Sequence, residues 1–575
     1  MLRDYQPFFE ISIFQNDARC RNRSPGRALD VDLSFGEFEP RDRSDNGHGQ
    51  TGESLGCLKV NSIAELGGVK AAAYSPSSVY RVFEDTEPDS GVLALGAFQR
   101  IRGLPQSKLE SARLVGQTIR RLWKTHGVQM PTMLRGSFVL CAFCRPTGRV
   151  LVARDAFGRI PLVRKESGAR ILYGLRPDQF GGDAGVSLGR LSGFIHRNID
   201  FGYQDFASGV TRVLPGQSML YSRNGDESSS SIWTNVFKKS RTRCSHTTVQ
   251  HALDAGVERL ISDQPCVVGL SGGLDSSLVY NLARRQRHAT DDVIAASIIA
   301  PGFREADEQR EIRENFFSPE QEWIRFDGTK HWPLKDLDFY SSMNSWGPQD
   351  HPGEYLDSRF MQHLRDHLGT EMLLTGAGAD LIFSASPRDQ ILADIRTRSY
   401  SRLPVHVGEE LARRLGRRLE KLHSFGLIFS DPEPSRPWDE TESWVQRTPC
   451  SETALSLERY LDSKFIDNKV ARIHSWMWEL RMRGLFRRAL RTGVRIESPF
   501  LDTDLWQCCL SILPDVPSSD GNEKRLLRSI AEGVVPGAIL GLPKHSTFAP
   551  LVVLGPGLRE RKTTRRLLLD GRLAT

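Results

Sequence analysis

The sequence predicts an α/β protein in two parts: a β-rich N-terminal domain, then a largely parallel, doubly wound sheet whose C-terminal part is helical. Three observations carry this. Short apolar runs separated by Gly, Pro and Asp turns fill residues 1–235. From residue 247 onward, apolar strand-like runs alternate with helix-like segments. A glycine-rich loop, Leu270-Ser-Gly-Gly-Leu-Asp-Ser-Ser277, stands between one such strand and one such helix. A chain of 575 residues also exceeds one core, at roughly 100–200 residues per domain.

In chain order, Phe35–Gly56 is poor in apolar residues and is expected to be an exposed loop. Ser107–Gly127 is expected to be helical, because Leu109, Leu114, Ile119 and Leu122 recur near helical spacing before Gly127. Ser137–Cys144, Val150–Ala153 and Ser218–Tyr221 are expected strands. Cys141 and Cys144 form a lone CxxC inside an apolar run bounded by Gly136 and Pro146; without a second pair they are expected to be structural, not zinc ligands. The polar run Ser222–Ser231, followed by Lys238–His246, is the expected linker between domains 1–235 and 247–575.

In the second domain Cys266–Leu270, Val293–Ile299 and Glu371–Leu374 are expected strands, and Ser276–Arg285 an expected helix. Farther on, Leu411, Leu415, Leu419 and Leu422 make an apolar stripe among arginines, which fits a solvated amphipathic helix or a face for an acidic partner. Trp476 and Trp478 are expected to pack in a core, with a peptide-contacting surface as the alternative.

Hydrophobic residues make up 39% and charged residues 26%, an ordinary globular balance that excludes a disordered or collagen-like chain. The net charge of +7 is small for this length, so neither nucleic acid nor a membrane is an expected partner, despite the basic run Arg559–Arg566. Nine scattered cysteines do not make a secreted disulfide framework. No signal-peptide core or long apolar span is present, so a soluble, cytoplasmic protein is expected.

The loop at 270–277 carries the chemistry. Gly272 and Gly273 lack Cβ atoms, so the backbone can turn tightly and aim N–H groups inward, and the following helix adds the partial positive charge of its N-terminus. That makes a cradle for phosphate oxygens. Ser271, Ser276 and Ser277 add hydroxyl donors, and Asp275 adds a carboxylate that can hold a magnesium ion bridging to phosphate. A glycine turn with a Ser/Asp helix cap is the bland alternative. Neither GxxxxGK[ST] nor GxGxxG is present, so this is a phosphate loop of another kind.

The segment resembles the pyrophosphate-binding loop of ATP pyrophosphatases. Leu374-Thr-Gly-Ala-Gly-Ala-Asp-Leu-Ile-Phe383 resembles the second nucleotide segment of the asparagine synthetase superfamily, and Arg495-Ile-Glu-Ser-Pro-Phe-Leu-Asp502 its Pro-Phe-Leu-Asp segment. Pro543–Phe548 sits where that superfamily has a lysine-bearing loop closing over the intermediate. Leu134–Phe138, Ala153–Leu162 and Val213–Gly216 resemble the superfamily's glutaminase-like, Ntn-type sandwich domain. Active glutaminases carry cysteine at position 2; here it is Leu2, which implies a structural N-terminal domain with no hydrolysis of glutamine.

The resemblance implies that ATP lies on Leu270, Ser271, Gly272, Gly273, Asp275, Ser276, Thr375 and Gly376. It further implies Mg2+ on Asp275 and Asp380, and Lys544 as the catalytic residue that stabilises developing charge. Asp380 as a helix cap and Lys544 as a solvated loop lysine are the alternatives. Two departures matter. Ala377 stands where asparagine synthetases have glutamate and β-lactam synthetases tyrosine, and Arg495 and Glu497 reverse the charge order of the asparagine synthetase Glu-x-Arg. No catalytic role is expected of either charged residue.

Synthetases of this superfamily without the cysteine use an amine of their own substrate. The implied reaction is therefore that of a lasso-peptide cyclase: adenylation of a side-chain carboxylate, then macrolactam closure by the peptide's N-terminal amine, with release of AMP and pyrophosphate. The long arginine-rich segment Ser384–Asp467 favours a peptide over an amino acid. A small-molecule amide synthetase, like β-lactam or asparagine synthetase, is the alternative. A precursor peptide and a leader peptidase are the implied partners.

Overall fold

The computed structural model describes residues 8–14, 62–66, 69–74, 79–168, 170–180, 185, 187, 203–222, 227–239, 244–261, 266–287, 293–299, 313–314, 323–331, 354–383, 468–512 and 524–541. The first half runs β1 (Phe8–Phe14), β2 (Ser62–Leu66), β3 (Val69–Tyr74), β4 (Arg81–Glu87), β5 (Ser90–Ile101), α1 (Ala112–His126), β6 (Leu134–Cys144), β7 (Arg149–Arg154), β8 (Val163–Ser167), β9 (Arg170–Gly174), β10 (Val210–Arg212), β11 (Gln217–Tyr221) and β12 (Glu227–Ser231). The second runs α2 (Ile232–Lys239), α3 (His246–Leu260), β13 (Cys266–Gly269), α4 (Leu274–Gln286), β14 (Val293–Ile299), β15 (Trp323–Asp327), α5 (Glu354–Leu368), β16 (Met372–Leu374), α6 (Ala379–Phe383), α7 (Asn468–Ile473), α8 (Trp476–Thr492), β17 (Arg495–Glu497), α9 (Thr503–Ile512), α10 (Arg525–Ala531) and α11 (Gly537–Gly541).

The β-rich part is two antiparallel sheets, ordered β10-β8-β9-β1-β3-β2 and β12-β11-β7-β6-β5-β4. Strand side chains alternate between faces, and here both faces of the second sheet are buried. Leu93, Leu95, Val139, Cys141 and Val152 meet Ile160, Leu162, Ile171 and Tyr173 in one core. Val92, Ala94, Phe138, Leu140 and Leu151 turn the other way, onto Val115, Ile119 and Trp123 of α1. That double burial explains why β5 and β6 read as unbroken apolar runs. Helix α1 begins later than its periodicity suggests, because the Ser111 side chain accepts the Leu114 N–H and caps it there.

The expected linker is partly a strand. Glu227–Ser231 pairs antiparallel with β11, since four serines satisfy a ladder through their backbones whatever their polarity suggests. Helix α2 then crosses residue 235. The stretch 35–56, the arginine-rich stripe at 411–422, the segment 384–467 and the basic run at 559–566 lie outside the described residues, as do Leu2 and Lys544.

The second sheet system is fully parallel, ordered β15-β14-β13-β16-β17. Val268 of β13 faces a core with Leu278, Val279 and Leu282 of α4, and Val267 faces one with Leu356, Phe360 and Leu364 of α5. Helices thus cover both faces, as a parallel sheet requires. The first strand, β13, has later strands on either side: β14 and β15 one way, β16 and β17 the other. The order reverses between β13 and β16, which is the switch point where such sheets leave a crevice at the carboxyl ends of their strands.

Candidate functional site

Both loops expected to bind nucleotide leave that switch point. After β13, Leu270 is pinned by its N–H to the Ala296 carbonyl (2.7 Å) and by its own carbonyl to Ser297 Oγ (2.6 Å). Gly272 then turns with φ +78°, a conformation open to glycine, and Gly273 starts α4 with no side-chain cap on the helix N–H groups. The Ser276 hydroxyl accepts the Ser271 N–H (3.1 Å) and donates to the Gly273 carbonyl (3.2 Å), so the loop closes on its own helix. A helix start without a side-chain cap, behind a glycine turn, is the arrangement that anion binding at a helix N-terminus uses.

After β16, the Thr375 N–H donates to the Glu497 carbonyl (2.9 Å) at the end of β17. Gly376 follows, packed on the start of α4: a Cβ there would lie 2.7 Å from Asp275 Cβ and 2.9 Å from Ser276 N. Only a glycine lets the two loops meet this closely. Asp380, in the first turn of α6, completes the second loop.

One residue placed at this candidate site was not foreseen from sequence. Lys524 Nζ lies 2.5 Å from Asp275 Oδ2 and 2.6 Å from Asp380 Oδ1, bridging the two expected magnesium ligands. Burial works against its charge, but the two carboxylates outweigh that and hold the ammonium above the usual lysine value. Lys524 has φ +65°, the one non-glycine residue at positive φ among the described residues. Backbone strain of this kind collects at functional sites. Its place in sequence, before the Leu526–Leu527 pair of a short helix after 513–523, offered no motif to mark it.

Asp275 and Asp380 fit a magnesium ion in chemistry: hard carboxylate oxygens that converge on a point where a cation already sits. Among the described residues no cluster of three or more His, Cys, Asp and Glu could hold a metal. Phosphate and water would therefore have to complete the ion's shell, as is usual for magnesium.

Ala377 lines a small cavity with Tyr80, Arg159, Met482 and Glu497, at the seam between the sandwich and the parallel sheet. Burial and the Glu497 carboxylate push the Tyr80 hydroxyl well above its usual value, so it stays neutral and supplies no base. Glu497 is ion-paired to Arg159 (2.6 Å) and Arg495 (2.9 Å).

The seam itself is charged and buried. Arg154 and Glu479 pair at 2.8 Å with neither side chain exposed, and Arg483 binds both Glu479 (2.9 Å) and Asp205 (2.6 Å). Burial disfavours ionised Glu479, but Arg154, Arg483 and Arg212 outweigh it and hold the carboxyl at about 2. Trp476 lies under the guanidinium groups of Arg212 and Arg483 and against Phe206, and Trp478 donates its indole N–H to the Phe157 carbonyl (2.8 Å). Both tryptophans are buried at this seam, as packing residues and not as a peptide surface.

No match was found among the curated proteins compared with this chain. Among solved structures, the chain is similar to glutamine phosphoribosylpyrophosphate amidotransferase from B. subtilis complexed with ADP and GMP, at 10% identity over 53% of this chain and 67% of that one, with a TM-score of 0.19. It is also similar to the NH3-dependent NAD synthetase from Campylobacter jejuni in complex with the nitrate ion, at 16% identity over 33% of this chain and 100% of that one, TM-score 0.21. The family description "asparagine synthase" matches residues 248–574, which is more than half of the sequence and takes in both loops, Asp380 and Lys524. The chain accordingly belongs to the asparagine synthase family and is, in general terms, an ATP-dependent amide-forming ligase.

Proposed function

We propose that this ligase adenylates a side-chain carboxylate of a precursor peptide and closes a macrolactam with the peptide's N-terminal amine. The observation that carries the nucleotide half of this reading is the meeting of two loops at one switch point, with Asp275, Asp380 and Lys524 within hydrogen-bond distance. The triphosphate lies on the Ser271–Ser276 loop, where the N-terminus of α4, which has no side-chain cap, and the Ser271 hydroxyl face its oxygens. Asp275 and Asp380 would hold magnesium, which when bound neutralises the leaving pyrophosphate.

The substrate carboxylate oxygen attacks the α-phosphorus, pyrophosphate leaves, and an acyl adenylate forms. The amine nitrogen then attacks the acyl carbon, AMP leaves with the carbon–oxygen electron pair, and the amine proton is lost. Lys544 is the residue proposed to stabilise charge in both steps. Ala377 leaves no carboxylate or phenol at the position where ammonia- and amino-acid-using relatives carry one, which supports a different acceptor.

The test is turnover. With a candidate precursor peptide bearing a free amine and a suitably placed acidic residue, ATP should yield AMP and pyrophosphate, and the peptide should become lighter by one water. Turnover with free amino acids or ammonium and none with peptide would reject the macrolactam in favour of a small-molecule synthetase.

A further inference from the structure

Arg159 belongs to the N-terminal sandwich, in the turn after β7, and is buried there. Asp155 holds that turn by accepting the Phe157 and Arg159 N–H groups (3.0 and 2.9 Å). The Arg159 guanidinium crosses the seam to Glu497 Oε2 at 2.6 Å, and Gln99 Nε2 donates to the same oxygen at 3.0 Å. Glu497 is 1% exposed and ends β17. Its main-chain carbonyl takes both the N–H and the hydroxyl of Thr375 (2.9 and 3.4 Å), and Thr375 Oγ1 in turn accepts the Ala377 N–H (3.4 Å).

We propose that Arg159 is a positioning residue for the nucleotide site, setting through Glu497 where the Thr375–Ala377 turn rests on the start of α4. The inference rests on the nucleotide reading of that site. Its physical basis is twofold. Without Arg159 the buried Oε2 of Glu497 keeps only Gln99, while Arg495 holds Oε1 at 2.9 Å, so the carboxylate must be drawn toward Arg495 or toward water, and moving Glu497 moves the carbonyl that holds Thr375. Gly376 already lies as near Asp275 as its missing side chain permits, so a small shift of the turn changes the crevice. A separate link across the seam, from Arg135 of β6 to Asp504 at 2.7 Å, ends on α9 and serves as a comparison.

The experiment titrates the full-length chain with α,β-methylene-ATP and magnesium, and follows hydrogen exchange at the Thr375 amide. Arg159→Met should weaken analogue binding about ten-fold and speed Thr375 exchange, the scale of a lost charge-assisted contact. Arg159→Lys should recover part of both losses, while Arg135→Met should change neither. Binding by Arg159→Met within about two-fold of the unaltered chain, with unchanged exchange, would overturn the proposal. If Arg159→Met does not fold, the isosteric Glu497→Gln should show the same loss, and normal binding by it overturns the proposal equally. Failure of the unaltered chain to bind the analogue at all defeats the nucleotide reading, and this inference with it.

Discussion

Lys524 and Asp275 stand 249 residues apart in sequence, and their charged groups lie 2.5 Å apart in the fold. The ammonium occupies the point where a magnesium ion between Asp275 and Asp380 is expected. Replacing it should expose two carboxylates to each other. In Lys524→Met, magnesium alone should raise the melting temperature by several degrees, against little change in the unaltered chain. Pyrophosphate release should fall at least about a hundred-fold, as when a preorganised charge is removed. Equal melting responses to magnesium in both proteins would remove the shared cation position.

Asp275→Asn keeps size and shape while removing one charge. Pyrophosphate release is expected to stop with the circular dichroism spectrum unchanged. Continued turnover would remove Asp275 from metal binding.

Gly376→Ala tests the approach of the two loops. The added Cβ meets backbone at 2.9 Å and Asp275 Cβ at 2.7 Å, so the loops must part. Overpacking of this kind costs about 1–3 kcal/mol, read by urea denaturation, and nucleotide affinity should fall with it. Stability and affinity equal to those of the original would show that the loops are not in contact.

Glu479 gives the seam an acid sensitivity. Its folded carboxyl is held at about 2, below its ordinary 4.5, so the charged form favours folding. That stability is complete above pH 4.5 and is lost as pH falls toward about 2. Glu479→Gln should unfold more easily at pH 7, by about 3–5 kcal/mol, because Arg154 and Arg483 lose a buried partner. It should also show a shallower fall in melting temperature between pH 5 and pH 3 than the original, since the titrating group is gone. A parallel acid profile in the variant would assign the sensitivity elsewhere.

Cys141 tests the structural reading of the CxxC. Burial pushes its thiol up to about 12, so it carries almost no thiolate at pH 8. Iodoacetamide at that pH should leave Cys141 unmodified in the folded protein, as read by peptide mass spectrometry, and modify it after unfolding. Rapid labelling of the native chain would contradict its burial.

Much of this was legible in the amino-acid order alone. Strands such as Ser137–Cys144 stood out because an apolar run was bounded by Gly136 and Pro146, and the 270–277 loop because glycines, serines and an aspartate sit between a strand and a helix. These are local properties, set by backbone freedom and side-chain period. Other features had no local signature. Polar Glu227–Ser231 became a strand because β11 offered it a ladder, and Ser111 rather than apolar spacing set the start of α1. Above all, the order of strands in the parallel sheet brought Gly376 onto Asp275, and the packing of distant elements put Lys524 between two aspartates and Arg159 of the sandwich against Glu497. Such pairings depend on which distant segments share a crevice or a seam, and charge and close approach act through space, not along the chain.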